Sequence, residues 1–505
     1  MGGSNSKQDN NSDGDQEHII SMKGVEQSIS GDIAQIEVGE YAENIDELNQ
    51  RKYDYENLIL EGGGTKGLAY CGTLTVLEDL GITKNLKRFA GSSAGAMLAT
   101  LIAVGFSAAE LEVIVRRDMK SIEFFQDATF GKLSLLWNMV KYQGWHPCKK
   151  VENQFELYIE EKQGKRKLTF LELYQKTGKE LCIIVTNLTT MSVEYFHPKT
   201  TPNVSIALAV RMSIGLPGFV QPTVVKKYGL NHCYIDGGVL CNYPIHCFDG
   251  WYLSMDPKDS FFRKLEDMTS TNRGHTFGGY NDKTLGLLLY SGDESEFMVQ
   301  AFEERSIPIE RPNTELSRKN GKIIDEHKAR EQERTNIFEA ARNFWMVLRS
   351  SDVDGSNTID IDELQQAIEH SDFKEHHAKA LFGDTPLSTI FKEMDIDGNG
   401  EVTFDEFIMY MEKKSVDFMC YMHNMSVQDG TDTIGGYLSA FQAMIEMNLK
   451  QLYMKNTDVK RTIGINTDYI KTTDVMVGLD VKDQDFLVAC GKASALQFLT
   501  MKNKC

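Results

Sequence analysis

The sequence predicts a mixed α/β fold in which helices flank a mostly parallel central sheet, with an all-helical module inserted into it. Within residues 51–310, short apolar runs typical of buried strands alternate with helical patterns, which favours a parallel sheet. A charged, apolar-poor linker at 311–336 precedes an acidic helical module at 337–424. Helix, strand and helix patterns return at 425–505, so the module interrupts the first domain instead of following it.

The composition narrows the class of protein. The chain has 505 residues, of which 41% are hydrophobic and 25% charged, values typical of a soluble globular protein with a large core. Its formal net charge of −19 disfavours nucleic acid as a partner. The nine cysteines are scattered without metal-ligand spacing, and the chain starts with no secretory signal pattern. We therefore expect reduced thiols and a cytoplasmic location.

A glycine-rich loop, EGGGTKG at 61–67, follows the first predicted strand and begins a helical run. Its G-x-G-x-x-G spacing would suit a dinucleotide, but Lys87 and Arg88 stand where such a site needs an acid. The phosphate-loop pattern also fails, because Lys66 is followed by Gly67 and not by Ser or Thr. Two interpretations remain, a tight turn without a ligand and an oxyanion hole made of backbone N–H groups.

Two adjacent serines lie between a predicted strand and an apolar helix, in KRFAGSSAGAM at 87–97. A nucleophile elbow brings strand and helix so close together that the positions two before and two after the nucleophile must be very small. Centred on Ser93, these positions are Gly91 and Gly95, whereas centred on Ser92 they are both alanine. The spacing therefore favours Ser93 as the nucleophile.

A serine nucleophile needs a nearby base, and the sequence offers two kinds. Asp236, in CYIDGGVLCNYP, ends a predicted strand and is followed by Gly237 and Gly238, which leave its carboxylate accessible. Such a carboxylate can take the serine proton directly if a partly dry site raises its pKa. A Ser-His-Asp esterase is the alternative. Three downstream histidines are available for it, in contexts that do not distinguish them: His232, His246 and His275.

The motifs EGGGTKG, GSSAG and DGGVLCNYP occur in the order found in patatin-like phospholipases, which this chain resembles over residues 55–300 and 430–500. The resemblance implies a three-layer α/β fold and a Ser93–Asp236 dyad without a catalytic histidine. It also implies hydrolysis of lipid acyl esters, of phospholipase A or lysophospholipase type. Glu61 departs from the family, which more often has Asp there. The predicted oxyanion hole comprises Gly62, Gly63 and Gly64. The supporting motif positions are Lys66, Gly67, Gly91, Gly95, Gly237 and Gly238.

Two twelve-residue windows in the inserted module carry oxygen-bearing residues at the spacing of an EF-hand calcium loop. The first supplies Asp352, Asp354, Ser356, the Thr358 carbonyl, Asp360 and Glu363. The second supplies Asp395, Asp397, Asn399, the Glu401 carbonyl, Thr403 and Glu406. At the sharp turn the second has Gly400 and the first Asn357, which tolerates a left-handed backbone. Ile359 and Val402 occupy the position that pairs two loops. We therefore predict two Ca²⁺ sites in this module. We expect no organic cofactor.

The sequence leaves the effect of calcium open. Sensor EF-hands open on binding calcium and expose a hydrophobic groove, whereas buffer hands barely move. Five methionines lie in or just after the second exiting helix: Met409, Met411, Met419, Met422 and Met425. They predict either a surface that docks onto the hydrolase or a protein partner when calcium binds, or ordinary core side chains.

The N-terminus carries a lipidation pattern. MGGSNS matches M-G-x-x-x-[ST], which predicts N-myristoylation of Gly2 in a disordered leader at 1–50. One acyl chain gives only weak, reversible attachment, so we expect peripheral membrane association, with membrane phospholipid as both substrate and surface. A non-enzymatic calcium sensor or membrane adaptor on the same scaffold is the competing interpretation.

Overall fold

The structure is a computed structural model. It describes residues 45–119, 124–127, 135–227, 229–264, 276–291, 301–302, 307–351, 358–413, 444–445, 448–450, 452–472, 474 and 478–502. Gly2 and three of the five predicted methionines, Met419, Met422 and Met425, lie outside the described residues. Within the predicted leader, Ile45–Asn49 form helix α1, whose Leu48 is buried.

Ten strands are described. They are β1 (Asn57–Leu60), β2 (Arg88–Ser92), β3 (Gly144–His146), β4 (Glu180–Asn187), β5 (Ser192–Phe196), β6 (Gly218–Val220), β7 (Thr223–Lys227), β8 (Leu230–Asp236), β9 (Thr284–Tyr290) and β10 (Thr462–Asn466). The eight-stranded central sheet has the order β10-β9-β1-β2-β4-β8-β7, with β5 paired to β4, and β3 pairs with β6 separately.

The predicted mostly parallel sheet is confirmed among these strands. From β10 to β4 every neighbouring pair is parallel, whereas β5 and β8 join β4 antiparallel and β7 joins β8 antiparallel. Strands β1, β4 and β9 are buried along their whole length, as expected where helices cover both faces of a parallel sheet. Strand β10 follows the inserted module in the chain, yet it extends the same sheet beside β9.

Helices before and after the inserted module flank this sheet, and the module contributes helices of its own. In the first part of the chain they are α2 (Ala69–Asp79), α3 (Ala94–Val104), α4 (Ala108–Ile114), α5 (Leu135–Tyr142), α6 (Lys149–Gln163), α7 (Phe170–Thr177), α8 (Ile206–Ser213), α9 (Gly238–Cys241) and α10 (Phe261–Lys264). Those that follow are α11 (Glu315–Ser351), α12 (Ile361–Glu369), α13 (Glu375–Phe382), α14 (Leu387–Met394), α15 (Phe404–Lys413) and α16 (Val481–Met501). Of the helices described, none is both long and apolar enough to span a bilayer.

The C-terminal helix α16 packs directly onto α2, the helix that follows the glycine-rich loop. A β-carbon on Gly72 would lie 1.9 Å from the Val488 carbonyl oxygen, and one on Gly491 would lie 1.8 Å from the Ala69 carbonyl oxygen. Two backbones can approach this closely only where neither residue has a side chain. The chain on either side of the inserted module therefore contributes to one core.

The inserted module has its own hydrophobic core, formed by α11 to α15. Phe344 and Leu348 of α11 pack there with Phe391 of α14 and Phe407 of α15. The residues predicted as a charged linker, 311–336, mostly form the first half of α11, which continues without a break into this core. One helix of 37 residues, about 55 Å long at 1.5 Å per residue, thus joins the module to the preceding chain.

Candidate active site and metal-binding loops

Sheet register brings the two predicted dyad residues together although they are far apart in sequence. Ser92, the last residue of β2, pairs with Ile184 of β4. The next residue of β4, Val185, pairs with Asp236, the last residue of β8. Ser93, which directly follows β2, and Asp236, which ends β8, therefore lie close together on either side of β4.

The backbone at Ser93 has the strained conformation of a nucleophile elbow. Its φ and ψ are 51° and −124°, a left-handed φ that non-glycine residues seldom adopt. The flanking glycines are needed for space, as the spacing predicted. A β-carbon on Gly91 would lie 2.3 Å from the Gly95 carbonyl oxygen, and one on Gly95 would lie 2.4 Å from the Leu60 carbonyl oxygen. The strand and helix can meet here only because both positions lack side chains.

The side chains of the two predicted dyad residues are hydrogen-bonded. The Ser93 hydroxyl donates to Asp236 Oδ2 at 2.8 Å, while Asp236 Oδ1 accepts from the Gly238 amide at 2.7 Å. The Asp236 side chain belongs to a residue only 5% exposed, and Ser93 is partly exposed. The Asp236 amide donates to the Gly215 carbonyl at 3.0 Å. One carboxylate oxygen is therefore fixed by the backbone, and the other faces the serine.

The neighbouring serine and the histidines have other surroundings. Ser92 is buried, and its hydroxyl has no hydrogen-bond partner among the described residues. His232 lies 2.9 Å from the Asn187 side-chain nitrogen, and His246 lies 2.8 Å from the Tyr195 hydroxyl. His275 lies outside the described residues. Within the described chain, no histidine is hydrogen-bonded to Ser93.

A third serine, which the sequence did not single out, supports the elbow. The Ser213 hydroxyl, at the end of α8, accepts from the Ser93 amide at 3.0 Å and donates to the Ile184 carbonyl at 2.6 Å. It thus connects the strained residue to strand β4. Ser213 lies within an apolar helical run, and only the tertiary structure gives it this position.

The glycine-rich loop lies beside the elbow, and its three predicted oxyanion-hole glycines differ in their bonds. The Gly62 amide donates to the Asn242 carbonyl at 3.2 Å. For the amides of Gly63 and Gly64, no acceptor is found within the part of the chain that the structure describes. Gly64 has a left-handed φ of 55° and begins a 3₁₀ turn, Gly64–Leu68, which contains the predicted motif residues Lys66 and Gly67. The amides of Gly63 and Gly64 are therefore available as hydrogen-bond donors.

Asn242, from the DGGVLCNYP motif, is buried beneath this loop. Its side-chain nitrogen donates to the Gly62 carbonyl at 2.9 Å and to Glu61 Oε1 at 3.2 Å. The second Glu61 oxygen accepts from the Leu289 amide at 2.8 Å. The sequence pointed to Glu61 only as a departure from the family, and it did not predict a role for Asn242.

The second EF-hand loop is arranged around a space suited to a cation. The carboxylate oxygens of Asp395, Asp397 and Glu406 lie within 4.8 Å of one another. Gly400 has a φ of 87° at the sharp turn, as predicted. Hydrogen bonds from the Thr403 backbone amide, the largest cause, and from its hydroxyl lower the pKa of Glu406. Hard oxygen donors held in this way fit Ca²⁺.

The first loop is described only in its second half. Asp352, Asp354, Ser356 and the turn residue Asn357 lie outside the described residues. Asp360 caps α12, accepting from the Glu363 amide at 2.8 Å. The Thr358 hydroxyl donates to Glu401 of the second loop at 2.9 Å.

The two loops pair with each other as predicted. Ile359 and Val402 exchange two backbone hydrogen bonds, of 2.9 and 2.8 Å. The exiting helix α15 buries Met411 in the module's core, while Met409 is 51% exposed. Of the predicted methionine set, the described members therefore divide between a core position and a surface position.

Comparison with known proteins identifies two domains. Residues 58–249 match the Patatin family, described as Patatin-like phospholipase, and residues 343–412 match an EF-hand domain pair. The uncharacterized protein R571 of Acanthamoeba polyphaga mimivirus is 33% identical over 196 residues, which cover 38% of this chain and 61% of that protein. The probable lipid hydrolase 463L of Invertebrate iridescent virus 6 is 28% identical over 191 residues, which cover 38% of this chain and 62% of that protein.

The chain thus spans about three fifths of the length of these curated relatives. Among solved structures, VipD from Legionella pneumophila aligns over 89% of this chain and 67% of its own, with 15% identity and a TM-score of 0.39. The family match together with the mostly parallel sheet supports the predicted fold class. Residues 58–249 are a patatin-like phospholipase domain, and residues 343–412 of the same chain are an EF-hand pair.

Proposed function

We propose that the protein is a calcium-regulated lipid acyl hydrolase in which Ser93 is the nucleophile and Asp236 the base. The observation that carries this proposal is the 2.8 Å hydrogen bond from Ser93 Oγ to Asp236 Oδ2 at a strained elbow beside the glycine-rich loop. The match of residues 58–249 to patatin-like phospholipases supports lipid as the substrate, as does the similarity to a probable lipid hydrolase.

The mechanism follows from which groups can move a proton. Ser93 Oγ attacks the ester carbonyl carbon while its proton passes to Asp236 Oδ2, and the developing oxyanion accepts hydrogen bonds from the amides of Gly63 and Gly64. When the tetrahedral intermediate collapses, the alcohol leaves with the proton from Asp236, and the acyl group stays on Ser93. Asp236 then takes a proton from a water molecule as its oxygen attacks the acyl-serine, and when this second intermediate collapses Asp236 returns the proton to Ser93 Oγ while the fatty acid leaves.

Calcium regulation needs a physical connection between the EF-hand pair and the hydrolase, and helix α11 supports one. Phe344 and Leu348, near its C-terminal end, belong to the core of the EF-hand pair. Near its N-terminal end, Asn320 donates to the Tyr469 carbonyl at 3.1 Å. The loop that contains Tyr469 also touches the predicted oxyanion hole, since a β-carbon on Gly64 would lie 2.9 Å from the Thr472 carbonyl oxygen.

This connection lets a rearrangement of the EF-hand core reach Gly64 through one stiff helix and one loop. Sensor hands change the angle between their helices when calcium binds. Because α11 is both the entering helix of the first hand and a support of the Tyr469 loop, such a change would move that loop.

The proposal also includes membrane phospholipid as the substrate surface and reversible attachment through an acylated Gly2.

The test is hydrolysis of phosphatidylcholine vesicles, with and without calcium, by the wild type and by Ser93→Ala, Asp236→Asn and Ser92→Ala. We expect Ser93→Ala and Asp236→Asn to lose at least about 1,000-fold in kcat, as removal of catalytic residues typically does. Ser92→Ala is the matched control, since it removes a neighbouring buried hydroxyl that has no partner among the described residues, and it should keep wild-type activity.

Three results would count against the proposed function. Activity surviving in Ser93→Ala would refute the assignment of the nucleophile. An equal loss on replacing His232, His246 or His275 would favour a Ser-His-Asp esterase instead. A wild type that binds calcium but hydrolyses no lipid ester would support the non-enzymatic sensor, the remaining alternative.

A further inference from the structure

A buried ion pair lies beneath the glycine-rich loop and joins it to chain that follows the EF-hand pair. Lys450 Nζ is 3.1 Å from Glu61 Oε1, and the two side chains are 7% and 1% exposed. Both also bond to the same residue of strand β9. Lys450 donates to the Leu289 carbonyl at 3.2 Å, and Glu61 Oε2 accepts from the Leu289 amide at 2.8 Å. A pair this deeply buried holds one geometry, because no solvent is available to hydrate either side chain if the two separate.

Glu61 in turn holds the side chain of Asn242 in place. Glu61 Oε1 accepts from the Asn242 side-chain nitrogen at 3.2 Å, and the same nitrogen donates to the Gly62 carbonyl at 2.9 Å. The Asn242 carbonyl in turn accepts from the Gly62 amide. Gly62 is therefore held at both its N–H and its C=O by one residue, whose side chain Glu61 orients.

The orientation of the Gly62 carbonyl determines that of the next amide. A trans peptide unit is planar, with its C=O and N–H pointing in opposite directions. The Gly62 carbonyl points towards Asn242, so the Gly63 N–H in the same peptide unit points away from it. Gly63 is also one of the loop amides for which no acceptor is found among the described residues.

We infer that Glu61 and Lys450 are positioning residues that orient the Gly62–Gly63 peptide for binding of the oxyanion. The inference deepens the proposed function and rests on it. Neither residue touches the reacting atoms. Lys450 pairs with Glu61, Glu61 holds Asn242, and Asn242 holds the peptide. Lys450 lies on the chain after the inserted module, so the predicted oxyanion hole is complete only when the C-terminal segment has docked.

The experiment compares kcat and KM on p-nitrophenyl butyrate, a small soluble ester, for full-length wild type, Lys450→Met, Lys450→Arg, Glu61→Asp and Lys455→Met. Active sites are counted by complete reaction with a fluorophosphonate, so that kcat refers to folded, reactive molecules. A residue needed only for folding would lower the number of reactive sites and leave kcat per site unchanged. Lys455, exposed on the same segment, provides the matched control.

We expect Lys450→Met to lower kcat per site by about 10- to 100-fold, the range that a misplaced catalytic donor costs, with little change in KM. Lys450→Arg, which keeps the charge, should recover part of the loss, and Lys455→Met should match the wild type. Glu61→Asp keeps the charge but shortens its reach to Asn242, so its kcat should fall in the same direction.

Wild-type kcat per site in Lys450→Met would overturn the inference, even if the yield of folded protein fell. If Lys450→Met does not fold, Glu61→Asp decides in the same way, and a wild-type kcat there overturns the inference. Failure of the proposed function would look different, because the wild type would then be inactive or Ser93→Ala would be active.

Discussion

Replacing Ser213 with alanine removes a single oxygen atom that connects the strained elbow to the central sheet. That oxygen accepts from the Ser93 amide at 3.0 Å and donates to the Ile184 carbonyl at 2.6 Å. Both groups lose this partner in Ser213→Ala, and a buried polar group left without a partner costs about 1–3 kcal/mol. Two such groups give an expected fall in the free energy of unfolding of about 2 to 6 kcal/mol.

Activity should fall as well, for a separate reason. The backbone conformation of Ser93, with φ of 51°, carries a strain of about 1–3 kcal/mol. The hydrogen bond to Ser213 holds the residue in this conformation and opposes its relaxation. Without it the elbow can relax and carry the hydroxyl away from Asp236. If relaxation is favoured by only about 1.4 kcal/mol, the productive geometry becomes tenfold rarer, so we expect kcat to fall about tenfold.

Urea unfolding and hydrolysis of p-nitrophenyl butyrate measure the two effects separately. Ser205→Ala is the matched control, because Ser205 precedes the same helix and its buried hydroxyl has no partner among the described residues. The control should change neither quantity appreciably. A Ser213→Ala protein that is destabilised but keeps wild-type kcat would refute the argument that this bond maintains the elbow.

Three further predictions concern the elbow and the second EF-hand loop. Gly95→Ala places a β-carbon 2.4 Å from a carbonyl oxygen, so we expect loss of soluble, active protein in expression trials. Glu406→Gln should raise the calcium Kd about 10- to 100-fold by calorimetry, whereas Glu412→Gln, exposed on the same helix, should not. Hydrogen bonds in the folded loop lower the pKa of Glu406, so ionised Glu406 stabilises the calcium-free loop. This stabilisation is complete above the ordinary carboxyl pKa and is lost as the pH falls through the lowered pKa. The thermal midpoint of the EF-hand pair without calcium should therefore drop as the pH is taken from about 5 to about 3.

The parts of the site that the sequence predicted depend on local rules. Gly91 and Gly95 identify Ser93 because an elbow brings strand and helix into contact within a few residues of the nucleophile. The EF-hand ligands likewise follow from spacing within one loop, and Ile359 with Val402 follows from the pairing of two such loops. Each of these requirements acts over a short stretch of chain, so the sequence shows it directly.

The parts that it missed depend on tertiary structure. Ser213 reaches Ser93 across 120 residues, and Lys450 reaches Glu61 although the whole EF-hand pair lies between them in the chain. Neither residue stands in a motif. Asn242 stands in the DGGVLCNYP motif, yet its hydrogen bonds to both the N–H and the C=O of Gly62 depend on how strand β8 and helix α9 return to the glycine-rich loop. A serine, a lysine and an asparagine are too common to indicate such roles by type.

The choice of substrate separates two ways in which calcium could act, through catalysis or through membrane attachment. Helix α11 of the inserted module connects to the predicted oxyanion hole through Asn320 and the loop touching Gly64, and Lys450, which follows the module in the chain, pairs with Glu61 beneath the glycine-rich loop. A rearrangement passed along α11 would change the orientation of the proposed catalytic amides, so calcium should alter kcat even on a soluble ester that needs no membrane. Attachment alone would alter only hydrolysis of vesicles. Equal kcat on p-nitrophenyl butyrate with and without calcium, beside a calcium effect on vesicles, would therefore exclude the route through the glycine-rich loop and leave recruitment as the mechanism.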